Sequence, residues 1–338
     1  MIWLWVSFVA AVLMLLALDL GVFHRKAHEV SMKEAGVWTA VWIGLALAFT
    51  VFVFFLYQHR LFGVIGPAEP RGYEAAVLFL TGYVVEESLS ADNIFVMALI
   101  FAFFRVPSAV QHRVLFWGIL GAIVLRAAMI FGGIALIHRF AWVLYVFGAL
   151  LIYSAVRMLT GSGESDPLTN PVVRLARKVL PITDEYDGAH FFTRREGKRK
   201  LTLLALVLVA VESADVIFAV DSIPAIFAVT DIPFIVFTSN IFAILGLRSM
   251  YFALSAVLKK FRYLKVSLAV LLAVVGAKML LKDYLAAVPG KTYLMLAAIV
   301  LIMGAGALAS VIWPGREGQG GTGNGEPGAG DGNSEPRS

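Results

Sequence analysis

Cysteine is absent from the 338 residues, which excludes disulfides, thiolate metal ligands and a cysteine nucleophile. Charge is scarce too: Asp, Glu, Lys and Arg make up 15%, where a soluble domain carries about 25%. The six histidines, His24, His28, His59, His112, His138 and His190, all fall in loops or at the ends of apolar runs and read as interfacial residues. No Walker-type phosphate loop occurs, so ATP is not the direct energy source. No nucleophile–base set or His–Glu zinc motif lies in an apolar run, so the chain reads as a non-enzyme without a tightly bound cofactor. The net charge of +5 is modest, and nothing in its pattern points to nucleic acid.

Apolar residues, by contrast, make up 60% of the chain, which places it in the membrane class. A span needs about 20 mainly apolar residues. The sequence predicts nine, at 1–23, 36–57, 75–104, 113–137, 141–158, 200–228, 233–257, 265–286 and 291–313. The first has no basic residue ahead of its apolar run and no small-residue cleavage site, so it reads as a retained span. The third and sixth run long and carry acids, which predicts tilting or breaking.

Lys and Arg side with the odd-numbered loops, seventeen against five in the even ones. By the positive-inside rule this predicts an outside N-terminus and a cytoplasmic C-terminus in a multi-pass inner cell membrane protein. The long fifth loop carries Val172, Val173, Leu175, Ala176, Val179 and Leu180 among Arg and Lys. That spacing suits a short helix on the membrane surface, and the basic loop also offers a surface for protein partners. From Gly315 the tail is Gly-rich and polar, with nothing to bury.

Self-similarity is visible at three anchors. Asp92-Asn93-Ile94-Phe95 resembles Asp215-Val216-Ile217-Phe218, Arg126 and Arg248 follow at matching distances, and Ala155–Leu159 resembles Gly276–Leu280. Three spans per unit make an inverted-topology repeat, an arrangement of secondary transporters with a midplane site at the repeat interface. The expected fold is thus an all-α polytopic membrane protein of about nine transmembrane helices with two inverted three-helix repeats. Its segments are 1–74 (two spans), 75–158 (first repeat), 159–199 (basic loop), 200–286 (second repeat), 287–313 (last span) and 314–338 (disordered tail).

Ionisable residues are costly in a span and mark function. Glu86, Glu87 and Asp92 sit in the third span and Glu212, Asp215 and Asp221 in the sixth, with Asn93, Ser222 and Asn240 beside them. Four bases accompany these six acids: Arg126, Arg157, Arg248 and Lys278. The excess of two negative charges fits a bound divalent cation or two protons. At 100° per residue, Glu86, Ser90 and Asn93 share a face, as do Asp215 and Ser222, whereas Asp92 and Asp221 point about 120° away. Pro224 frees the carbonyl of Val220 beside Asp221. The donors are all oxygen, which suits Mn²⁺, Mg²⁺ or Ca²⁺. Alternatively, Asp92 and Asp215 pair with Arg126 and Arg248 as static locks.

Glu86-Glu87-Ser88-Leu89-Ser90-Ala91-Asp92-Asn93 and the run Asp215 to Ile226 resemble the two motifs of the TerC membrane protein family. Pro233 to Ser249 and Pro181-Ile182-Thr183-Asp184-Glu185-Tyr186 are similar to it as well. The resemblance covers roughly 1–313. It implies a LysE-superfamily fold and export of manganese, with Glu86, Asp92, Asn93, Asp215, Asp221 and Ser222 as ion-handling positions. Arg126, Arg248, Glu212 and Asn240 stand as supporting groups. The family was named for tellurite resistance, and some members resemble alkaline-pH-induced proteins. The second repeat carries Val216 where the first has Asn93.

Two readings result. One is a secondary transporter exporting Mn²⁺, plausibly in exchange for protons, with the bilayer and the divalent ion as its partners. The other is a non-transporting membrane scaffold or stress-resistance protein with structural ion pairs. Transport of organic cations or amino acids, which the resemblance to the wider superfamily implies, is the weaker third, since no large aromatic cage accompanies the polar residues.

Overall fold

The computed structural model describes residues 2–18, 31–61, 69–160, 170–195, 197–254, 263–285 and 290–312. In chain order these form α1 (Ile2–Leu18), α2 (Met32–Gln58), α3 (Gly72–Phe103), α4 (Ser108–Arg139), α5 (Val143–Thr160) and α6 (Pro171–Val179). Then follow strands β1 (Phe192–Arg195) and β2 (Lys198–Leu201), and α7 (Leu203–Phe227), α8 (Pro233–Leu254), α9 (Leu264–Leu280), α10 (Lys282–Leu285) and α11 (Lys291–Ile312).

Each apolar run of the sequence carries a helix, and local chemistry sets the ends. Ser31 caps α2 by accepting from the Glu34 amide at 3.2 Å, the Ser-x-x-Glu pattern of a capping box. Pro233 opens α8, where a missing N–H costs nothing. Helix α3 ends in a Schellman motif. There Arg105 takes φ 50°, Val106 N–H donates to Phe101 O at 2.9 Å and Arg105 N–H to Ala102 O at 3.1 Å.

Six described helices, among them α2, α4, α5, α7 and most of α8 and α11, are long and apolar enough to cross a bilayer. α3 is as long but carries three acids in its middle, while α1 and α9 have 17 described residues each. At 32 residues, α3 and α4 each extend about 48 Å, well beyond the ~30 Å hydrocarbon core, so they tilt or protrude.

Helix α8 lies at the centre, against α2, α3 and α4, with 94% of its apolar window buried. α3 packs on α7 and α8, α4 on α7 and α8, and α5 on α9. The α5–α9 crossing is held close by two glycines. A Cβ on Gly148 would meet Gly276 O at 3.0 Å, and one on Gly276 would meet Gly148 O at 2.8 Å. α1 packs Trp5 and Phe8 edge-on against Phe234 of α8.

Several expectations are corrected. The sixth span begins at Leu203 rather than 200, because Lys198–Leu201 pairs antiparallel with Phe192–Arg195 across a turn in which Gly197 takes φ 75°. Neither long helix breaks: α7 continues through the buried Pro224 to Phe227. The eighth run, expected to 286, stops at Leu280, and the short α10 follows. In the fifth loop a short helix is present as α6, packed on α7. Asn170 caps it, accepting from Val172 N–H at 2.9 Å and donating to Ser213 of α7 at 3.0 Å. Val173 and Ala176 are buried, while Val172, Leu175 and Val179 are exposed. Asp19, His24, His28, Lys259, Lys260, Arg262 and the tail from 313 lie outside the described residues.

Tyr186 in the same loop donates to Phe104 O at 2.7 Å, tying the loop to the end of α3. Burial pushes its hydroxyl up to about 12, so it stays protonated and able to donate at any physiological pH. Tyr186→Phe is therefore expected to cost about 1 kcal/mol, measured as lower thermal stability of the purified protein.

Candidate functional site

The helical wheel drawn from the sequence holds in the structure. Glu86, Ser90 and Asn93 are buried at 0%, 2% and 2% exposure, and Asp92 is half-buried. On α7 the same holds: Asp215 and Ser222 are buried, whereas Asp221 is half-buried. The two buried faces meet at one residue of α4, Arg126, which is 1% exposed.

Arg126 is the hub. Its Nε and Nη2 donate to Asp215 Oδ2 and Oδ1 at 3.1 and 2.8 Å, the bidentate fork that guanidinium geometry favours. Nη1 donates to Glu86 Oε1 and, at 3.4 Å, to Ser222 Oγ. Two carboxylates thus share one cation, leaving the trio at net −1 when all are ionised. Glu86 Oε2, Glu212 Oε2 and both amide atoms of Asn240 are buried without a hydrogen-bond partner among the described residues. Buried polar groups in native proteins are almost always satisfied, so these atoms are exceptions among the described residues.

Glu212 owes its place to glycine. A Cβ on Gly121 would stand 1.9 Å from Glu212 Oε1, so only glycine lets this carboxylate lie against α4. Beside it, Gly118, Glu212, Asp215 and Arg248 border a cavity of about 10 Å³, room for roughly one water.

The remaining candidates stand elsewhere. Asp221 accepts from Ser154 of α5 at 2.6 Å and lies in the field of Arg157. Asp92 lies in the field of Lys265 at the start of α9. In place of the Arg126–Asp92 pair of the static-lock alternative, Arg126 meets Glu86 and Asp215. The reason is the wheel itself, since Asp92 faces away from α4. Among the described residues no three His, Asp or Glu side chains converge as a metal cluster, so the six candidate positions do not form one coordination shell in this conformation.

Ser154, Gly118, Gly121 and Lys265 escaped the sequence reading. The Gly-x-x-Gly spacing at 118–121 was a visible signal for a close helix approach. Ser154 and Lys265 offered none beyond their residue type.

A bundle of membrane-length helices with an arginine buried between two carboxylates defines a polytopic integral membrane protein with an intramembrane polar centre. The chain belongs to the TerC family: the model for "Integral membrane protein TerC family" matches residues 71–317. It is similar to the "Putative membrane-bound redox modulator Alx" of Escherichia coli K12, 50% identical over 284 residues covering 83% of this chain and 86% of that one. A Myxococcus xanthus protein, "Uncharacterized membrane protein STKORF319", is 49% identical over 310 residues, 91% and 92% of the two chains. A Rickettsia bellii membrane protein is 37% identical over 309 residues, 91% and 97% of the two. No solved structure matches.

Proposed function

We propose that the protein is a secondary transporter that moves Mn²⁺ out of the cell through the Arg126 cluster, in exchange for protons. The observation that carries this is the buried guanidinium held by Glu86 and Asp215 while further buried oxygens, on Glu86, Glu212 and Asn240, have no hydrogen-bond partner among the described residues. Oxygen donors of this kind suit a hard divalent ion. Carboxylates also trade a metal for protons as their surroundings change, which supplies the coupling.

Asp92 and Asp221 take the role of flanking stations. Each lies six residues beyond its central acid, Glu86 and Asp215, which is about 9 Å along the helix. Since two spans, α4 and α5, stand between α3 and α7, these two helices run in opposite directions and the steps lead to opposite sides of the bilayer. With the N-terminus outside, Asp92 is the cytoplasmic station and Asp221 the outer one. Asn93 and Arg248 support the central site.

This reading takes nine spans in an inner membrane, with segments 1–74, 75–158, 159–199, 200–286, 287–313 and the tail as above, and two inverted repeats, α3–α5 and α7–α9. Their packing supports it: α3 meets α8 as α4 meets α7, and α3–α7, α4–α8 and α5–α9 are pairs of equivalent helices, the pattern a two-fold axis demands. The basic loop containing α6 is the surface for protein partners. The redox wording in the name of the Escherichia coli relative finds no thiol in this chain to act through.

A second reading, a scaffold locked by static ion pairs, is favoured by the bidentate Arg126–Asp215 fork. The test separates them. Cells lacking the protein should accumulate manganese under excess Mn²⁺, and the wild type should correct this. Glu86→Gln and Asp215→Asn, present in the membrane at equal amounts, should leave manganese as high as in cells without the protein. Full correction by both variants would refute passage through the cluster, and no accumulation without the protein would favour the scaffold.

A further inference from the structure

Glu87 has no part in the Arg126 cluster. It follows Glu86 on α3, so its Cα is turned 100° from that residue's direction. The side chain heads for α8 and α2: Oε1 lies 3.7 Å from where a Cβ on Gly246 would sit, and Trp42 Cβ lies 3.7 Å from that same point. Oε2 is buried with no hydrogen-bond partner among the described residues.

Glu87 lines a cavity of about 520 Å³ bounded by α2, α3, α8, α9 and α11. The lining is apolar apart from Glu87, Ser88 and Tyr83, and the Ser88 hydroxyl already donates to Val84 O at 2.6 Å. On its wall Ile43 of α2 and Val300 of α11 are 39% and 52% exposed. Both helices are long and apolar enough to span, so the mouth faces acyl chains rather than water.

The chemistry of this cavity narrows its occupant. A hard divalent ion requires about six oxygen ligands, and one carboxylate beside a committed hydroxyl falls far short. A neutral lipid tail would fill the volume yet leave the carboxylate oxygen unanswered, and buried polar groups without partners are costly. An organic monocation on an apolar body answers both. The volume is about 3.5 times that of the ~150 Å³ cavity that holds one benzene, which sets the body at roughly three fused rings. It also lies within the 300–1,000 Å³ typical of small-molecule sites.

We infer that this lateral cavity is a binding site for amphipathic organic cations entering from the lipid, with Glu87 as the counter-charge. It is separate from the Arg126 cluster and stands whether or not that cluster passes manganese.

The test uses the full chain in phosphatidylcholine nanodiscs, with empty discs as reference. The probes are 9-aminoacridine, a three-ring monocation at neutral pH, and anthracene, its uncharged counterpart in shape, both followed by fluorescence polarisation. Saturable binding of the cation is expected. Glu87→Gln should weaken it about tenfold or more, as loss of a desolvated charge pair does, and leave anthracene unchanged. Gly304→Leu is the second variant. Gly304 lines the cavity and its added Cβ would meet nothing within 4 Å, so leucine folds in but fills the space, and both probes should be lost. Equal affinity of the cation for wild type and Glu87→Gln overturns the proposal. So does binding no greater than to empty discs, or a Gly304→Leu protein that binds both probes as before.

Discussion

Arg126→Leu is expected to destabilise the protein by about 3–5 kcal/mol, the usual result of removing one partner from a buried charge pair. Leucine takes away four hydrogen bonds, to Asp215, Glu86 and Ser222. The larger loss is what stays behind, two carboxylates at 3% and 0% exposure with their shared cation gone. The effect should be read as a fall in unfolding midpoint of the detergent-solubilised protein. A combined variant, Arg126→Leu with Glu86→Gln and Asp215→Asn, should recover much of the stability, because neutral groups tolerate burial where unpaired charges do not. It should recover no manganese efflux. Arg126→Lys should fall between, since an ammonium cannot reproduce a fork to one carboxylate while reaching a second. If Arg126→Leu unfolds like wild type, the ion pairs are not what holds α3, α4 and α7 together.

The second large effect is expected at the α5–α9 crossing. Gly276→Val places carbon atoms against Gly148 O, Ile152 and Leu151, which already stand 2.8, 2.9 and 3.1 Å from a simple Cβ. The first of these is backbone and cannot turn aside, so the helices must separate. Overpacking of this kind costs about 1–3 kcal/mol, and here the contact runs along most of α5. Gly132→Ala is the matched control. Nothing lies within 4 Å of its would-be Cβ, so alanine should be neutral or stabilising by up to ~1 kcal/mol through helix propensity. Thermal unfolding of the two variants beside wild type decides the matter. Equal losses at both positions would show that glycine serves helix flexibility here rather than close approach.

The helices were legible because length and apolarity suffice to find them in a membrane chain. The short helix α6 was legible through the alternation of Val172, Val173 and Leu175 with arginine and lysine, though not its packing on α7. The hairpin was not, because Arg194, Arg195, Lys198 and Arg199 hide the period of a strand, and the apolar run after Thr202 absorbed its end. Within the site, helix geometry put Glu86 on one face with Ser90 and Asn93, and Asp215 with Ser222, and set Asp92 and Asp221 apart. That the two shared faces are the buried ones came from the structure. What a linear reading lacked was depth. Arg126 was matched to Asp92 by sequence spacing, yet its actual partners depend on the height at which α4 crosses α3 and α7. At that height three helices meet around one guanidinium, which no pattern along a single helix encodes.

The burial of α8 bears on how the chain assembles. It is among the less apolar of the spanning helices, with mean hydropathy 1.4 against 2.4 for α7, and it carries Thr238, Ser239, Asn240 and Arg248 where little surface is left open. Such a segment gains little from lipid and much from protein. It leaves the ribosome after α2, α3 and α4, the helices that enclose it, so those three must come together with a vacant slot and receive α8 late. Until then the face around Gly82, whose absent Cβ would sit 2.8 Å from Ser239 Oγ, lacks the helix that packs on it.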